Sequence, residues 1–493
     1  MLAVTLNWLE QIHWSAYVAV AVHLAIQLCL CVRVIMRRRS VGESLAWILV
    51  VFFFPIVGPL VYLVMGELRL GSRRARRFVE LFPPIQEWLD DLPERHQVDW
   101  SRLGVQCEPM SRLGQLTLGM PSLPGNELEL LDQWQSVFQR LVEDIDAAEH
   151  TCHLEFYIWH LGGKTSEVSA ALVRAAQRGV TCRVLVDAMG SRAFLRSSIA
   201  EEMREVGVRI QAALPGGLMR MPFVRFDLRM HRKIVVIDGT IAYTGSLNLV
   251  DPRYFKQDSG VGQWVDAMVR IRGPAVEALA ITFLADWYLE TDAELEQLRE
   301  TGGAVAQSRL GESTVQVLPS GPMYPTESME QVLIMAVYAA HKELVLTTPY
   351  FVPSESLLMA LQSAARRGVK VILILPAKID SVLVRYASQA FKGELLRAGV
   401  RVANFHGGLL HTKSVTVDGE MSLFGSLNLD PRSFRLNFEI SLSIYDLDFT
   451  QRLRALQQSY IDQSELMDLD SWVKRPMGQR LAENCARLFG PLL

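Results

Sequence analysis

The chain has 493 residues and a mass of 55.5 kDa, half of its residues are hydrophobic, and its mean hydropathy is +0.17. This length predicts more than one domain, and the composition excludes a disordered or collagen-like chain and indicates contact with lipid. The net charge of −3 gives no overall attraction to polyphosphate, so a nucleic-acid binder would need a local basic surface.

Two apolar segments near the N-terminus predict a membrane anchor. The first runs from about residue 14 to 33 and is long enough to cross the hydrocarbon as a helix. The second, 45–65, contains Pro55, Gly58 and Pro59, which predict a kink or a re-entrant hairpin. Arginine clusters follow both segments, and the positive-inside rule places both in the cytoplasm. A hairpin satisfies this rule better than two full crossings, and the sequence leaves both open.

The rest of the chain contains an internal duplication. Residues 165–180 match 354–369, and both stretches have a helical pattern that begins with an N-cap candidate and ends at glycine. Each helix precedes a short β-branched run, 182–188 or 371–377, typical of a strand buried on both faces. The pattern predicts two α/β units.

A sparse polar motif repeats with identical internal spacing. The candidate catalytic residues are His231, Lys233 and Asp238 in the first copy and His411, Lys413 and Asp418 in the second. A Gly-Ser-x-Asn turn follows each copy and provides the candidate phosphate-binding residues Ser246, Asn248, Ser426 and Asn428. Core packing gives no reason for two polar patterns at the same interval, so the duplication favours a catalytic role.

These side chains suit phosphoryl chemistry. In an extended strand, His and Lys two residues apart lie on one face, where imidazole acts as nucleophile or general acid and ammonium binds phosphate oxygens. The motif aspartates are expected to tie each hairpin to its partner loop rather than to touch substrate. Since no carboxylate cluster, CxxC pair or zinc-type spacing accompanies the motifs, we expect no metal and no cofactor.

The duplicated HxKxxxxD motif with GSxN resembles the phospholipase D superfamily over residues 130–460. Together with the apolar segments and FGSLNLDPRSF, it resembles the bacterial cardiolipin synthases. The resemblance implies a pseudo-twofold core, one histidine that becomes phosphatidylated, and another that acts as acid and base. It also implies an acid that orients each histidine through Nδ1. The candidates are Glu439, 28 residues after His411, and Asp266, 35 residues after His231.

The resemblance further implies phosphatidylglycerol as both substrates, cardiolipin as product and the bilayer as partner, with no nucleic acid. A homo-oligomer remains an open alternative to a monomer. The implied location is the bacterial inner membrane, multi-pass, and the arginine clusters predict that the catalytic part lies on the cytoplasmic face.

The predicted fold class is α/β, with two pseudo-symmetric phospholipase D-like α/β/α sandwich domains after two membrane helices or a membrane hairpin. The predicted boundaries are 1–70 for the anchor, 71–130 for a juxtamembrane linker, 131–310 and 311–462 for the two domains, and 463–493 for a basic amphipathic tail.

The motifs also allow other functions. Water could resolve the covalent intermediate, which would make a phospholipase D-type hydrolase, and serine as acceptor would make a phosphatidylserine synthase-like enzyme. A nuclease fits poorly because the soluble part is net acidic, and an inactive scaffold is disfavoured because both motifs are intact. Spacing does not indicate which histidine is the nucleophile.

Overall fold

The computed structural model describes residues 2–37, 39–216, 224–325 and 327–488, without the side chains of residues 2–13 and 300. The chain divides into two compact units, one formed by residues up to Ser72 with Gly216–Asp227 and the other by Arg73–Pro215 with Leu228–Leu493. The described helices, in chain order, are α1 Leu2–Met36, α2 Val41–Phe53, α3 Val57–Met65, α4 Ser72–Arg95, α5 Cys107–Leu118, α6 Trp134–Asp146, α7 Lys164–Gln177, α8 Arg192–Leu195, α9 Ser198–Glu205, α10 Ala275–Glu290, α11 Leu295–Thr301, α12 Ser328–Ala339, α13 Glu355–Arg366, α14 Val382–Ala398, α15 Pro431–Arg435, α16 Leu447–Asp462, α17 Leu469–Val473 and α18 Met477–Leu488.

The strands all belong to the larger unit. In chain order they are β1 Ser122–Leu131, β2 Thr151–Phe156, β3 Thr181–Asp187, β4 Arg209–Ala213, β5 Arg229–Met230, β6 Ile234–Ile237, β7 Ile241–Gly245, β8 Trp264–Val265, β9 Met268–Arg272, β10 Ser313–Ser320, β11 Glu343–Thr347, β12 Lys370–Pro376, β13 Arg401–Phe405, β14 Leu409–Leu410, β15 Lys413–Val417, β16 Met421–Gly425, β17 Asn437–Tyr445 and β18 Ser464–Leu466.

The smaller unit contains the apolar segments. Residues Trp14–Met36 of α1 are long and apolar enough to cross a membrane, the one such stretch among the described residues. The second apolar run is divided into α2 and α3. These helices fold back on each other so closely that a Cβ at Gly58 would collide with the backbone of Val50. The kink predicted from Pro55, Gly58 and Pro59 therefore takes the form of a helical hairpin.

A polar side chain of α1 donates hydrogen bonds to carbonyl groups that the break between α2 and α3 leaves without a helical partner. Pro55 has no N–H, so the carbonyl of Val51 loses the donor that a continuous helix would provide. The Gln27 side chain donates to this oxygen at 2.9 Å and to the carbonyl of Phe52 at 3.4 Å. In an apolar environment such replacement of lost helical hydrogen bonds is what makes a break tolerable.

The larger unit is organised around one mixed sheet, and the strand order of its second half reverses that of its first half. Its strand order is β4-β3-β2-β6-β7-β9-β1 and then β10-β17-β16-β15-β11-β12-β13-β18. In each half three strands are parallel, β2-β3-β4 or β11-β12-β13, and the antiparallel β1–β10 pair joins the halves. The duplicated α/β architecture predicted from the sequence is therefore confirmed.

The repeated helices form where the sequence pattern places them. The stretches 165–180 and 354–369 contain α7 and α13, and Gly179 and Gly368 have φ values of +92° and +93° just beyond the helix ends. The N-termini differ, because Ser354 accepts from the backbone N–H of Leu357 whereas Gly163 is the N-cap of α7 and has no side chain to cap with.

Regions 71–130 and 463–488, which were expected to be a linker and a tail, contain regular helices and strands that pack within the larger unit. The first contains α4, α5 and β1, and β1 lies in the middle of the sheet between β9 and β10. The second contains α18, where Arg487 packs over the Phe391 ring of α14 at 4.8 Å from its centroid. Arg487 of this tail therefore contributes to packing within the unit.

The second arginine cluster also has partners within the larger unit. Arg73 pairs with Asp292 at 2.6 Å, and Arg77 donates to the carbonyl of Ala293 at 2.8 Å. Arg74 is buried and pairs with Glu290. These side chains hold α4 against the end of α10, so the cluster is a weaker indicator of membrane topology than its sequence position indicates.

Candidate active site

Each His-x-Lys segment is held by the opposite repeat. The His231 backbone N–H donates to the carbonyl of Phe438 at 2.9 Å, and that of His411 donates to the carbonyl of Val265 at 2.8 Å. Short parallel pairs, β5 with β17 and β14 with β8, bring these backbones together. His231 thereby lies beside β17, which carries Glu439, and His411 lies beside β8, which ends one residue before Asp266.

The two histidine–acid pairs also cross between the repeats. His231 Nδ1 lies 2.8 Å from Glu439 Oε2, and His411 Nδ1 lies 2.6 Å from Asp266 Oδ1. Because an ionised carboxylate only accepts hydrogen bonds, each Nδ1 carries the proton and each Nε2 keeps its lone pair. The acids were identified from the sequence, but the order of residues did not indicate that each would bind the histidine of the other copy.

Burial and pairing together determine the pKa values of the two histidines and the two acids. Desolvation lowers the pKa of His231 and of His411 to about 4, although the adjoining carboxylates oppose the shift. For Glu439 and Asp266, burial alone would raise the pKa, but the paired imidazoles and hydrogen bonds hold it below its usual value. At neutral pH the arrangement is therefore a neutral imidazole beside an ionised acid, which leaves Nε2 nucleophilic.

The two lysines provide the positive charge of the site. Lys233 Nζ and Lys413 Nζ each donate to the carbonyl of the histidine two residues earlier, at 2.6 Å. Burial lowers the pKa of Lys233 to about 8 and that of Lys413 to about 7. Each histidine also interacts electrostatically with the lysine of the other copy. The fold therefore brings the duplicated motifs into one buried site.

The serines of the GSxN turns bind the acids. Ser246 Oγ donates to Asp266 at 2.6 Å, and Ser426 Oγ donates to Glu439 at 2.5 Å. A hydroxyl has one proton, so neither serine has a donor left for phosphate. We therefore revise the expectation that Ser246 and Ser426 bind substrate phosphate: they position the acids.

The two asparagines differ from each other. Asn248 Oδ1 accepts from the N–H of Ile158 at 3.3 Å, and its Nδ2 has no hydrogen-bond partner among the described residues although the side chain is buried. Asn428 Nδ2 instead donates to Ser433 Oγ at 3.2 Å, and Asn428 Oδ1 has no hydrogen-bond partner in the described part of the chain. Asn248 thus keeps a free donor for phosphate, whereas Asn428 offers an acceptor that suits a hydroxyl.

The motif aspartates lie at the far ends of the strands β6 and β15 and act on backbone. Asp238 accepts from the N–H groups of Glu149, His150 and Thr151 at 2.7–2.8 Å. Asp418 does the same in the second repeat, and its partners are His341, Lys342 and Glu343 at 2.7–2.8 Å. These contacts agree with the expectation that the motif aspartates tie each hairpin to the preceding loop, and they place Asp238 and Asp418 outside the set that would touch substrate.

Two aromatic neighbours of the histidines were missed by sequence reasoning. The Tyr157 ring lies 5.0 Å from the His231 ring, and the Trp264 ring lies 4.3 Å from the His411 ring. Trp264 Nε1 is buried and has no hydrogen-bond partner among the described residues. Tyr157 directly follows β2, and a repeat comparison extended to Tyr350 after β11 could have singled it out. Within the described residues no group of three His, Cys, Asp or Glu side chains is arranged to hold a metal.

Comparisons with known proteins agree with this architecture. The family "Cardiolipin synthase, PLD-like domain" matches residues 141–287 and 333–460, and "Phospholipase_D-nuclease N-terminal" matches residues 26–67. The chain is 46% identical to cardiolipin synthase A of Shigella flexneri and 45% identical to that of Escherichia coli, over 94% of this chain and 95% of each relative. The crystal structure of phosphatidylserine synthase from Haemophilus influenzae is similar with a TM-score of 0.59, at 16% identity, over 78% of this chain and all of that one. This last likeness shows a shared fold.

Proposed function

Because the chain belongs to the family of bacterial cardiolipin synthases with two phospholipase D-like domains, we propose that it transfers the phosphatidyl group of one phosphatidylglycerol to another and releases glycerol. It is a membrane-associated phosphatidyltransferase, and its lipids are phosphatidylglycerol and cardiolipin. The observation that carries the mechanism is the pair of crossed, buried histidine–carboxylate contacts with one lysine beside each.

In the first step, Nε2 of one histidine attacks the phosphorus of the donor lipid. The bond between phosphorus and the glycerol oxygen breaks, and the second histidine, protonated in the enzyme–substrate complex, gives its proton to the leaving glycerol. Lys233 and Lys413 neutralise charge on the phosphoryl oxygens, and Asn248 Nδ2 donates to them. The product of this step is a phosphatidyl-histidine.

In the second step, the headgroup hydroxyl of another phosphatidylglycerol gives its proton to the second histidine. Its oxygen attacks phosphorus, the bond from phosphorus to Nε2 breaks, and cardiolipin leaves with the enzyme restored. The buried histidines keep bulk water scarce around the intermediate, which favours transfer over hydrolysis.

The proposal extends to topology. Helices α2 and α3 would span about 20 Å and about 14 Å at 1.5 Å per residue, less than the ~30 Å hydrocarbon core. We infer that α1 crosses the inner membrane and that the α2–α3 hairpin enters and returns on one side. Arg33, Arg37 and Arg39 then lie on the cytoplasmic side, together with the catalytic domains proposed for 131–310 and 311–462.

The test is to incubate the detergent-purified protein with phosphatidylglycerol alone, in EDTA, and to follow lipids and free glycerol by mass spectrometry. We expect cardiolipin and glycerol in equal amounts. The matched variants His231→Ala and His411→Ala are each expected to lose turnover while they keep the circular-dichroism spectrum of the folded parent. Phosphatidate as the main product, or turnover in either variant within tenfold of the parent, would contradict the proposal.

A further inference from the structure

A cavity lies on the far side of the His231–Lys233 segment from the histidine site. It has a volume of about 530 Å³ and is enclosed by α4, α5, α10 and the loop after β10. Its walls are mainly apolar, with Leu81, Phe82 and Ile85 from α4 and Ile281 and Leu289 from α10. Both the size and the lining are those of a small-molecule or lipid site.

The floor of this cavity is formed by residues that hold the catalytic groups. Arg232 lies between His231 and Lys233 but projects to the opposite side, where its Nε donates to the carbonyl of Glu439 at 3.0 Å. Phe438 lines the cavity with its ring, and its carbonyl accepts from the His231 backbone. An occupant would therefore pack directly against the backbone that positions one histidine–acid pair.

The charges at the floor already satisfy each other. Arg232 is 1% exposed and forms a hydrogen bond with Asp286, and it also donates to the carbonyl of Ser320 at 3.3 Å. A phosphate or other anion would have to displace Asp286 from this guanidinium. The cavity consequently suits an uncharged, apolar occupant.

The mouth of the cavity carries apolar side chains that no other part of the unit covers. Phe82 of α4 is 56% exposed and Leu116 of α5 is 79% exposed, and both line the opening. Val79, one turn before Phe82, is 70% exposed. Exposed apolar side chains around an apolar opening are typical of a surface that contacts lipid.

We propose that this cavity binds one fatty acyl chain of a bilayer phospholipid, at a site separate from the phosphoryl-transfer site. The inference rests on the proposed function only in that the enzyme works on membrane lipids. The chain enters between Phe82 and Leu116 and packs against Phe438.

The probe for this site is phosphatidylglycerol with a photoreactive diazirine near the end of one acyl chain, in vesicles with the full-length protein. After irradiation, peptide mass spectrometry is expected to find adducts on α4, α5 and α10. Ala285 lines the cavity and is half-buried, so the ring of Ala285→Phe obstructs the cavity and is expected to lower these adducts about tenfold. Ala285→Ser adds almost no volume and is the matched control.

A second variant covers the case in which Ala285→Phe does not fold. Leu116→Asp places a charge at the exposed mouth and is expected to lower the same adducts without a change in unfolding temperature. Adducts absent from these helices in the parent protein, or unchanged in both variants, would overturn the acyl-chain site. Cardiolipin formation by the parent is measured in parallel, so failure of this site and failure of the proposed function give different results.

Discussion

The carboxylates of Glu439 and Asp266 determine which nitrogen of each histidine faces the substrate. Glu439→Gln replaces an acceptor by a group that also donates, which favours the tautomer with Nδ1 unprotonated. We expect kcat to fall by about 10³–10⁴-fold, with KM changed little, because the substrate contacts remain. Steady-state kinetics on vesicles provides the measurement.

The matched control is Glu420→Gln, since the Glu420 side chain is 51% exposed and lies outside the site. It should have parental kinetics. A Glu439→Gln enzyme within about tenfold of the parent would remove the acid from the mechanism.

The pH dependence follows from the same groups. The pKa of each histidine is lowered to about 4, so both imidazoles are neutral in the free enzyme above that pH. The pKa values of Lys413 and Lys233 are lowered to about 7 and about 8, so the positive charge that binds phosphate is lost as the pH rises through that range. Release of glycerol requires one protonated and one neutral histidine, so we expect kcat/KM to fall as the pH rises above about 4, and to fall more steeply through the range in which the lysines lose their charge. A kcat/KM that is flat from pH 6 to pH 9 would contradict the role of the lysines.

At the scale of elements, Asp418 is predicted to matter for stability and not for turnover. Asp418→Ala removes the acceptor for three backbone N–H groups at the start of β11, which costs about 1–3 kcal/mol of unfolding free energy. The measurement is chemical denaturation together with kcat per folded molecule, which should stay within about twofold of the parent. Asp238→Ala tests the equivalent turn in the first repeat. A loss of kcat without a loss of stability would return these residues to the catalytic set.

The hairpin of α2 and α3 allows a second test at this scale. Gln27→Leu removes the donor to the Val51 carbonyl and is expected to cost ~0.6–2 kcal/mol in thermal unfolding in detergent. In a Pro55→Ala background, residue 55 can donate to this carbonyl itself, so the same change should cost less. Equal costs in both backgrounds would show that Gln27 does not replace the bond that Pro55 lacks.

At the scale of the whole molecule, the membrane face on which each end of the second apolar run lies distinguishes a hairpin from a second crossing. Ser40 and Ser72 are both exposed and flank the second apolar run. With the six native cysteines replaced, Ser40→Cys and Ser72→Cys should both react with an impermeant thiol reagent only when the cytoplasmic face is accessible. Labelling from opposite faces would mean that the second run crosses the membrane.

The duplicated α/β fold could be predicted from the sequence because it depends on local period, and the histidine and lysine candidates stood out because their spacing repeats. The two candidate acids, at 28 and 35 residues from the preceding motif histidine, came from the family resemblance and not from repeated spacing. The sequence was insufficient for contacts that depend on how the repeats pack. The crossed pairing joins residues 208 and 145 positions apart, and the serines proved to bind the acids. The central place of β1 depends on long-range strand pairing, which no local pattern encodes.

The proposed reaction passes through a phosphatidyl-histidine that a second lipid resolves. The most direct measurement is to denature the protein at alkaline pH during turnover with phosphatidylglycerol, because phosphoramidate bonds are acid-labile, and to locate adducts by mass spectrometry. We expect a phosphatidyl adduct on His231 or His411, on the same one in every preparation. Cardiolipin formation with no adduct on either histidine, or an adduct that persists when both are replaced by alanine, would contradict it.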